Sequence, residues 1–339
     1  MNEPRMRPIL IGVLSALFFA VTFVLNRRME LEGGSWLWSS SLRYFFMLPI
    51  LIAIVAARRR LRSLLLVMRE NPWEWLLWST IGFGLFYAPI CLAAAYSPGW
   101  VVAGTWQLTI ISGVLLAPFF WQVIETPEGP RKIRNKIPVK GLVMSLLILV
   151  GVLLMQLEHA GSVSARAILL GIMPILIATF AYPLGNRKMM ELCNGRLDVT
   201  QRVLGMTLAS MPFWILLGGI GLYTAGVPQV SQLTQSFIVA VSSGVIATLL
   251  FFYATDLVRG SSARLAGVEA TQSMEVMFAL IGEIVILSAP LPATLSWLGM
   301  LIIMIGMILH SYVSHSPTDE GRFRRGQLLA EQAKDEAVR

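Results

Sequence analysis

Charged residues are scarce in this sequence. Asp, Glu, Lys and Arg make up only 14% of its 339 residues, whereas 56% are hydrophobic and the mean hydropathy is +0.69. An average soluble domain carries about 25% charged residues, so this chain has too few to cover a globule of its size. The composition excludes a soluble globular protein and predicts an integral membrane protein.

Residues that bind metals or act as nucleophiles are also few. The chain has 3 His and 2 Cys, and Cys91 and Cys193 fall at different levels of the predicted fold. Neither an HExxH motif, a CxxC motif nor a Gly-rich phosphate loop occurs. We therefore expect no disulfide, no metal site, no cofactor and no enzymatic activity.

Long apolar runs are plentiful. A helix needs roughly 17–25 apolar residues to cross about 30 Å of hydrocarbon, and ten runs of this kind occur. They are placed at 8–26, 36–56, 75–96, 100–121, 141–157, 166–186, 203–222, 236–256, 267–288 and 293–313. The expected fold class is all-α integral membrane with ten transmembrane helices. Residues 314–339 are expected to form a polar, disordered cytoplasmic tail.

The basic residues predict how the helices are oriented. Of the 27 Lys and Arg residues, 23 lie at the two termini and in alternate loops, and only 3 lie in the other loops. Cytoplasmic segments of membrane proteins accumulate such residues. Both termini are therefore expected in the cytoplasm, in a multi-pass protein of the cell (inner) membrane. The same distribution explains the net charge of +8 without a nucleic-acid partner.

The two halves of the sequence resemble each other. The first span ends in Asn26-Arg27-Arg28-Met29 and the sixth in Asn186-Arg187-Lys188-Met189. Further matches in the same order pair Gly12 with Gly171, Arg43 with Arg202, Gly104 with Gly267, and Gly151 with Gly306. Because the repeat holds five spans, an odd number, the second copy would be inserted upside down. Inverted repeats over 1–160 and 161–313 are typical of secondary transporters that work by alternating access.

Three segments carry a resemblance to a known family. They are SLRYFFMLPI around Arg43, AGVEATQSMEVMFALIGE in the ninth span and WLGMLIIMIGMIL in the tenth. The sequence resembles the ten-helix, EamA-like branch of the drug/metabolite transporter superfamily and is similar to multidrug resistance efflux transporters. The resemblance implies two inverted five-helix halves that export small metabolites or amphiphilic compounds. The small relatives carry a proton-coupling glutamate in their first span, and here neither the first nor the sixth span contains an acid.

The ninth span carries the candidate chemistry. Ionisable groups inside a membrane are rare and usually face a cavity, yet Glu269, Gln272 and Glu275 fall on one face of this helix. Glu275 lies nearest the midplane, where desolvation favours the protonated form and a substrate cation competes with the proton. We predict Glu275 as the exchange site, with Gln272 and Ser273 as polar neighbours. The alternatives are a glutamate bonded to a neighbouring helix or one in an aqueous vestibule without a coupling role.

A buried arginine predicts a second feature. Arg43 and Glu283 lie at similar depths below the outer ends of the second and ninth spans, at 1.5 Å per residue. A buried arginine needs a partner, and a carboxylate binds it in bidentate fashion. The predictions are a structural ion pair between the two, a gate made by the same pair, or no contact.

Aromatic and amide residues complete the candidate site. Trp106 and Gln107 lie in the fourth span, the repeat partner of the ninth, and Tyr87 and Tyr253 lie in the third and eighth spans. They are predicted to line the central cavity, although ordinary packing explains each of them equally simply.

These residues predict a proton-coupled carrier. Three acids in the ninth span against one intramembrane base, Arg43, favour a small cationic, zwitterionic or neutral amphiphilic substrate over an anion. Export is expected, with an uptake carrier and a channel as alternatives. The expected partners are a small-molecule substrate, protons and the lipid bilayer, in a monomer or a homodimer.

Overall fold

The computed structural model describes residues 6–126, 129–134, 137, 139–160, 164–257 and 267–314. Helices dominate these residues. In chain order they are α1 (Arg7–Leu31), α2 (Trp36–Ala57), α3 (Leu61–Glu70), α4 (Pro72–Ser79), α5 (Leu85–Tyr96), α6 (Gly99–Trp106), α7 (Thr109–Leu115), α8 (Val139–Ala160), α9 (Ala165–Cys193), α10 (Val199–Ala225), α11 (Val230–Val239), α12 (Thr248–Asp256), α13 (267–270), α14 (Met274–Leu287) and α15 (Thr294–Ser314). The predicted tail beyond Ser314 lies outside the described residues.

Seven helical segments of the described chain are long and apolar enough to cross a membrane. They are Arg7–Leu31, Trp36–Ala57, Pro72–Tyr96, Ile168–Cys193, Val199–Ala225, Val230–Thr255 and Gly267–Leu287. Shorter apolar helices occupy the places of the fourth, fifth and tenth predicted spans, at Gly99–Leu115, Leu142–Glu158 and Thr294–His310. Each predicted span therefore coincides with an apolar helix, and seven reach the length that a crossing requires.

Several helices continue past the apolar runs that predicted them. α1 extends to Leu31 although its predicted span ends at 26, and α9 extends to Cys193 rather than 186. Asp198 and Gln201 form a capping box that starts α10 before its predicted span begins. Charged side chains are good helix formers, so a hydropathy pattern marks the membrane-embedded part of a helix and not its ends.

One element departs from the all-α prediction. Two antiparallel strands, β1 (Trp121–Thr126) and β2 (Gly129–Arg134), form a hairpin after α7. The β-branched Val123 and Ile124 favour an extended backbone, and the sequence Pro-Glu-Gly that follows β1 is a turn signal. The fourth predicted span is shortened as a result.

Four irregular segments interrupt the long helices, and they occur in pairs. π-Helical turns lie at Thr80–Gly84 between α4 and α5, and at Ala240–Ala247 between α11 and α12. A turn at Gln107 and Leu108 separates α6 from α7, and a 3₁₀ turn at Thr271–Ser273 precedes α14. The pairs fall in the third and eighth spans and in the fourth and ninth spans. Irregular turns of these kinds are frequent at functional sites.

Two buried apolar clusters surround the centre of the bundle. The first joins α2, α5 and α10 and includes the stacked rings of Tyr44 and Trp214, whose centroids lie 4.2 Å apart. The second joins α1, α6, α8, α9, α14 and α15. The space between these clusters is where the candidate site lies.

Glycine contacts hold α8 against α15. A Cβ atom at Gly299 would lie 2.6 Å from the carbonyl oxygen of Gly151, and one at Gly151 would lie 2.5 Å from that of Gly299. Small residues of this kind let transmembrane helices approach to backbone contact. The Glu158 carboxylate adds a second link, because it accepts hydrogen bonds from the backbone nitrogens of Ala293 and Ser296 at 2.8 and 2.7 Å.

The Gly151–Gly299 contact predicts a sharp glycine requirement. We expect Gly299→Ala to lower the melting temperature of the purified protein in detergent by several degrees, since overpacking costs about 1–3 kcal/mol. Gly219→Ala in α10 is the matched control, because a Cβ there meets no atom within 4 Å, and it should leave the melting temperature unchanged or slightly higher. Equal melting temperatures for the two variants would contradict the packing described.

Candidate functional site

A cavity of about 350 Å³ lies between the two apolar clusters. Side chains from both ends of the chain line it, including those of α1, α2, α5, α9, α10 and α14. Apolar and aromatic side chains outnumber polar ones in its wall. Its volume falls at the small end of the range of about 300–1,000 Å³ that is usual for small-molecule sites.

Seven of the ten predicted site residues line this cavity. They are Arg43, Tyr87, Trp106, Gln107, Glu269, Gln272 and Glu275. The remaining three, Tyr253, Ser273 and Glu283, lie outside its wall. The structure therefore brings most of the predicted residues to one place, while the functions assigned to them stay predictions.

The ninth span presents three polar side chains together. Glu269, Gln272 and Glu275 are spaced by three residues, which places them on one side of a helix, and Gln272 lies in the 3₁₀ turn between α13 and α14. The Gln272 amide also donates a hydrogen bond to the carbonyl of Gly12 in α1, at 3.3 Å. A polar stripe is thus aimed at the cavity and tied to the facing helix.

Glu275 is the buried acid of the cavity wall. Glu275 is only 5% exposed. Within the described part of the chain its carboxylate accepts no hydrogen bond and forms no ion pair. The alternative of a carboxylate bonded to a neighbouring helix is therefore not observed there. An ionised carboxylate is costly in such surroundings unless a cation compensates it.

Three aromatic rings stand together in the same wall. The Phe86 centroid lies 5.0 Å from that of Trp106 and 4.7 Å from that of Tyr182, and the last two lie 5.4 Å apart. Glu275 lines the same cavity. Aromatic faces beside a carboxylate are the surroundings that ammonium cations prefer. Phe86 and Tyr182 were not predicted from the sequence.

Arg43 lies on another wall of the cavity and is 6% exposed. Its guanidinium carbon lies 4.1 Å from the ring centroid of Tyr87 and 5.9 Å from that of Tyr44. One terminal nitrogen donates to the Thr22 hydroxyl at 3.4 Å, a long hydrogen bond, and Nε has no partner. Aromatic faces, and no carboxylate among the described residues, surround this charge.

Arg43 and Glu283 form no ion pair in this structure, so the prediction of a structural pair is wrong and the alternative of no contact is observed. A gate that pairs them in another conformation stays a prediction. Glu283 Oε1 accepts a hydrogen bond from the backbone nitrogen of Gly99, at 2.7 Å, where α6 begins. Unpaired amides at a helix N-terminus attract a carboxylate. The two residues were predicted at similar depths, but α14 packs chiefly against α1 and α6 rather than against α2.

Ser273 and Tyr253 are also not where the prediction put them. Ser273 is buried, and its hydroxyl donates to the carbonyl of Ala270 within the same turn, at 2.8 Å. Tyr253 is 46% exposed, and its hydroxyl accepts a hydrogen bond from Arg7 at 3.2 Å. The 3₁₀ turn rotates Ser273 away from the cavity, and Tyr253 lies on the outer face of α12.

Two arginines in the cavity wall were predicted to lie in cytoplasmic loops. Because α9 and α10 extend further than predicted, Arg187 and Arg202 are helical and line the cavity. Arg187 donates to the carbonyl of Gly113 at 2.8 Å, and Arg202 lies 5.5 Å from the ring centroid of Phe252. The repeat held the missing signal, since it pairs Arg202 with Arg43. The prediction of a single cation among the candidate groups is therefore wrong.

Comparison with known proteins identifies the family. The family model described as "EmrE: Putative multidrug resistance efflux transporter" matches residues 6–316. The chain belongs to this family. The resemblance to drug/metabolite transporters is thereby confirmed, and the protein is a multi-pass membrane protein of a small-molecule transporter family, not of an enzyme family.

Relatives occur in bacteria. A Bacillus subtilis (strain 168) protein described as "Uncharacterized protein YjlA" is 59% identical over 309 residues, which cover 91% of this chain and 95% of that protein. A Shouchella clausii protein described as "Uncharacterized 42.1 kDa protein in intracellular alkaline protease 3'region" is 51% identical over 270 residues, which cover 80% and 70%. A solved structure described as "Crystal structure of protein" has a TM-score of 0.60 at 16% identity. The match covers 90% of this chain and 96% of that chain and shows that the fold is shared.

The contact between Glu283 and Gly99 yields a stability prediction. We expect Glu283→Leu to lower the melting temperature, because a buried donor left without an acceptor costs about 1–3 kcal/mol. Glu283→Gln keeps an oxygen for the Gly99 nitrogen and should lower it less. Thermal unfolding in detergent measures both.

A charge exchange separates this arrangement from an ion pair. We expect the double variant Arg43→Glu with Glu283→Arg to be no more stable than Glu283→Arg alone, since no pair is restored. Recovery of the wild-type melting temperature by the double variant would show that the two residues do pair.

Proposed function

We propose that the protein is a proton-coupled secondary transporter that exports small amphiphilic cationic or zwitterionic compounds, or metabolites, across the cell membrane. The observation that carries the proposal is the Glu275 carboxylate, buried in the cavity wall without a partner in the described part of the chain. Either a proton or a cationic group of the substrate compensates it, and each excludes the other. Exchange at this one carboxylate couples the movement of protons to the movement of the substrate across the membrane.

The aromatic rings beside Glu275 supply the second half of this site. Phe86, Trp106 and Tyr182 offer ring faces that attract a desolvated cation. Other charged or titratable groups line the same cavity. They are Arg43, Arg187, Arg202, Glu269 and His310.

Ten spans in two inverted repeats, 1–160 and 161–313, would provide the alternating access. The packing supports this arrangement, because α1 packs against α12 and α14 as α9 packs against α5 and α7. Exchanging the halves maps one set of contacts onto the other and relates α2 to α10 and α8 to α15. The paired π-turns and the paired interruptions of the fourth and ninth spans obey the same exchange. Interrupted helices at matching positions of two halves are typical of transporter binding sites.

The side to which the cavity opens follows from the predicted orientation. In that orientation the protein lies in the inner membrane and both of its termini are in the cytoplasm. Three lining residues stand near the predicted cytoplasmic ends of their spans: Arg187, Glu269 and His310. At the opposite end, Arg27 in α1 donates to the carbonyls of Ala94 and Ala95 at 3.0 and 3.1 Å. We assign an inward-facing state, and we propose export rather than uptake because the family is described as efflux transporters.

Transport in liposomes tests the proposal. The purified protein is reconstituted and given a pH gradient, with a panel of aromatic ammonium cations and their zwitterionic analogues as probes. We expect the wild type to accumulate at least one probe and Glu275→Gln to lower the gradient-driven accumulation at least about tenfold, since the exchangeable proton is gone.

Glu283→Gln is the matched control, because Glu283 is equally buried but lies outside the cavity wall. It should keep the response to the pH gradient. Gradient-driven accumulation that survives Glu275→Gln would place the coupling elsewhere and remove the proposal.

A further inference from the structure

Proton exchange at Glu275 gives no role to the positive charge of Arg43. This arginine lines the same cavity and is only 6% exposed. Within the described residues no carboxylate lies within ion-pair distance of its guanidinium, and Nε is buried without a hydrogen-bond partner. Arginine stays charged at any physiological pH. No carboxylate of the described residues therefore compensates this charge.

The surroundings of Arg43 compensate only part of this charge. The Tyr87 ring, 4.1 Å away, interacts with the face of the guanidinium group. A guanidinium group has five N–H donors in its plane, and the hydroxyl of Thr22, at 3.4 Å, is a weak acceptor for one of them. The in-plane donors are what a carboxylate binds in bidentate fashion.

We propose that Arg43 binds a carboxylate group of the substrate, so that the cavity selects zwitterions. The ammonium end of the same molecule then lies at Glu275 and the rings of Phe86, Trp106 and Tyr182. Arg43, Glu275 and the three rings line one cavity, so both ends belong to one site rather than to two separate ones. This inference rests on the proposed function, and it assigns Arg43 to the substrate rather than to an ion pair within the protein.

The volume of the cavity agrees with this assignment. A space of about 350 Å³ suits a molecule of metabolite size. Such a molecule can span from one wall to another, and the opposite charges at Arg43 and Glu275 would fix its direction. A cation without a carboxylate would leave Arg43 uncompensated, and an anion without an ammonium group would leave Glu275 protonated.

Matched probes test this on the wild-type protein without any substitution. Phenylalanine, phenethylamine and 3-phenylpropionate share one ring and differ only in their charged groups, and glycine betaine and choline form a second pair with a quaternary ammonium. Binding to the full-length protein in detergent is measured by calorimetry. At least one zwitterion should bind about tenfold or more tightly than its matched amine or cation, as charge-assisted hydrogen bonds predict. If no zwitterion does so, the inference is wrong.

The variant Arg43→Gln locates the effect. It should reduce the affinity for the preferred zwitterion to that for the matched amine or cation while the latter stays unchanged, and Arg43→Lys should keep part of the preference. Arg27→Gln, which removes an arginine outside the cavity wall, should keep all of it. Equal losses for zwitterion and amine in Arg43→Gln, or loss of the preference in Arg187→Gln or Arg202→Gln but not in Arg43→Gln, would overturn the assignment.

Three further outcomes are distinguished by these experiments. If added chloride raises the affinity for the amine or cation to that for the zwitterion, the anion at Arg43 is a free ion and the zwitterion proposal is wrong. If Glu275→Gln leaves pH-driven transport intact while the Arg43 preference persists, the proposed function fails and the carboxylate site stands. If cations exchange with protons at Glu275 but no zwitterion is preferred, only the inference about Arg43 fails.

Discussion

Burying an ion among apolar side chains is costly unless another group compensates its charge. Arg43, Glu275 and Glu283 are the buried acidic and basic residues of the described chain. Glu283 meets that need within the fold, because one of its oxygens accepts a hydrogen bond from the backbone nitrogen of Gly99 at the start of α6. Arg43 has only the Thr22 hydroxyl and aromatic rings beside it, Glu275 has no partner in the described part of the chain, and both line the central cavity. We propose that a proton or a cationic group of a ligand compensates Glu275 and that an anionic group of a ligand compensates Arg43.

Irregular helical segments lie beside this arrangement. Gln272 lies in the 3₁₀ turn at Thr271–Ser273, between Glu269 and Glu275, and the turn after Trp106 interrupts the partner span. By contrast, α8 and α15 are regular and packed through Gly151 and Gly299. Irregular helices at the centre and a regular pair beside them fit a protein whose central helices rearrange.

The sequence predicted the helices, the family and seven residues of the cavity wall, because apolar run length and buried polar residues are strong signals in membranes. It failed where three-dimensional packing decides. The predicted depths of Arg43 and Glu283 matched, yet α14 packs chiefly against α1 and α6 rather than against α2. Hydropathy ended α9 too early and started α10 too late, so Arg187 and Arg202 were assigned to loops. Ser273 was predicted as a polar neighbour of Glu275, and its hydroxyl donates instead to the carbonyl of Ala270.

We propose that transport depends on one carboxylate, that of Glu275, which exchanges a proton for a cation. The most direct measurement records the pH of a weakly buffered solution of the purified protein while benzyltrimethylammonium, a cation of fixed charge, or glycine betaine is added. In the wild type, binding should release about one proton per ligand at a pH where Glu275 is protonated, by linkage, and Glu275→Gln should release none. Binding to the wild type without proton release would contradict the account.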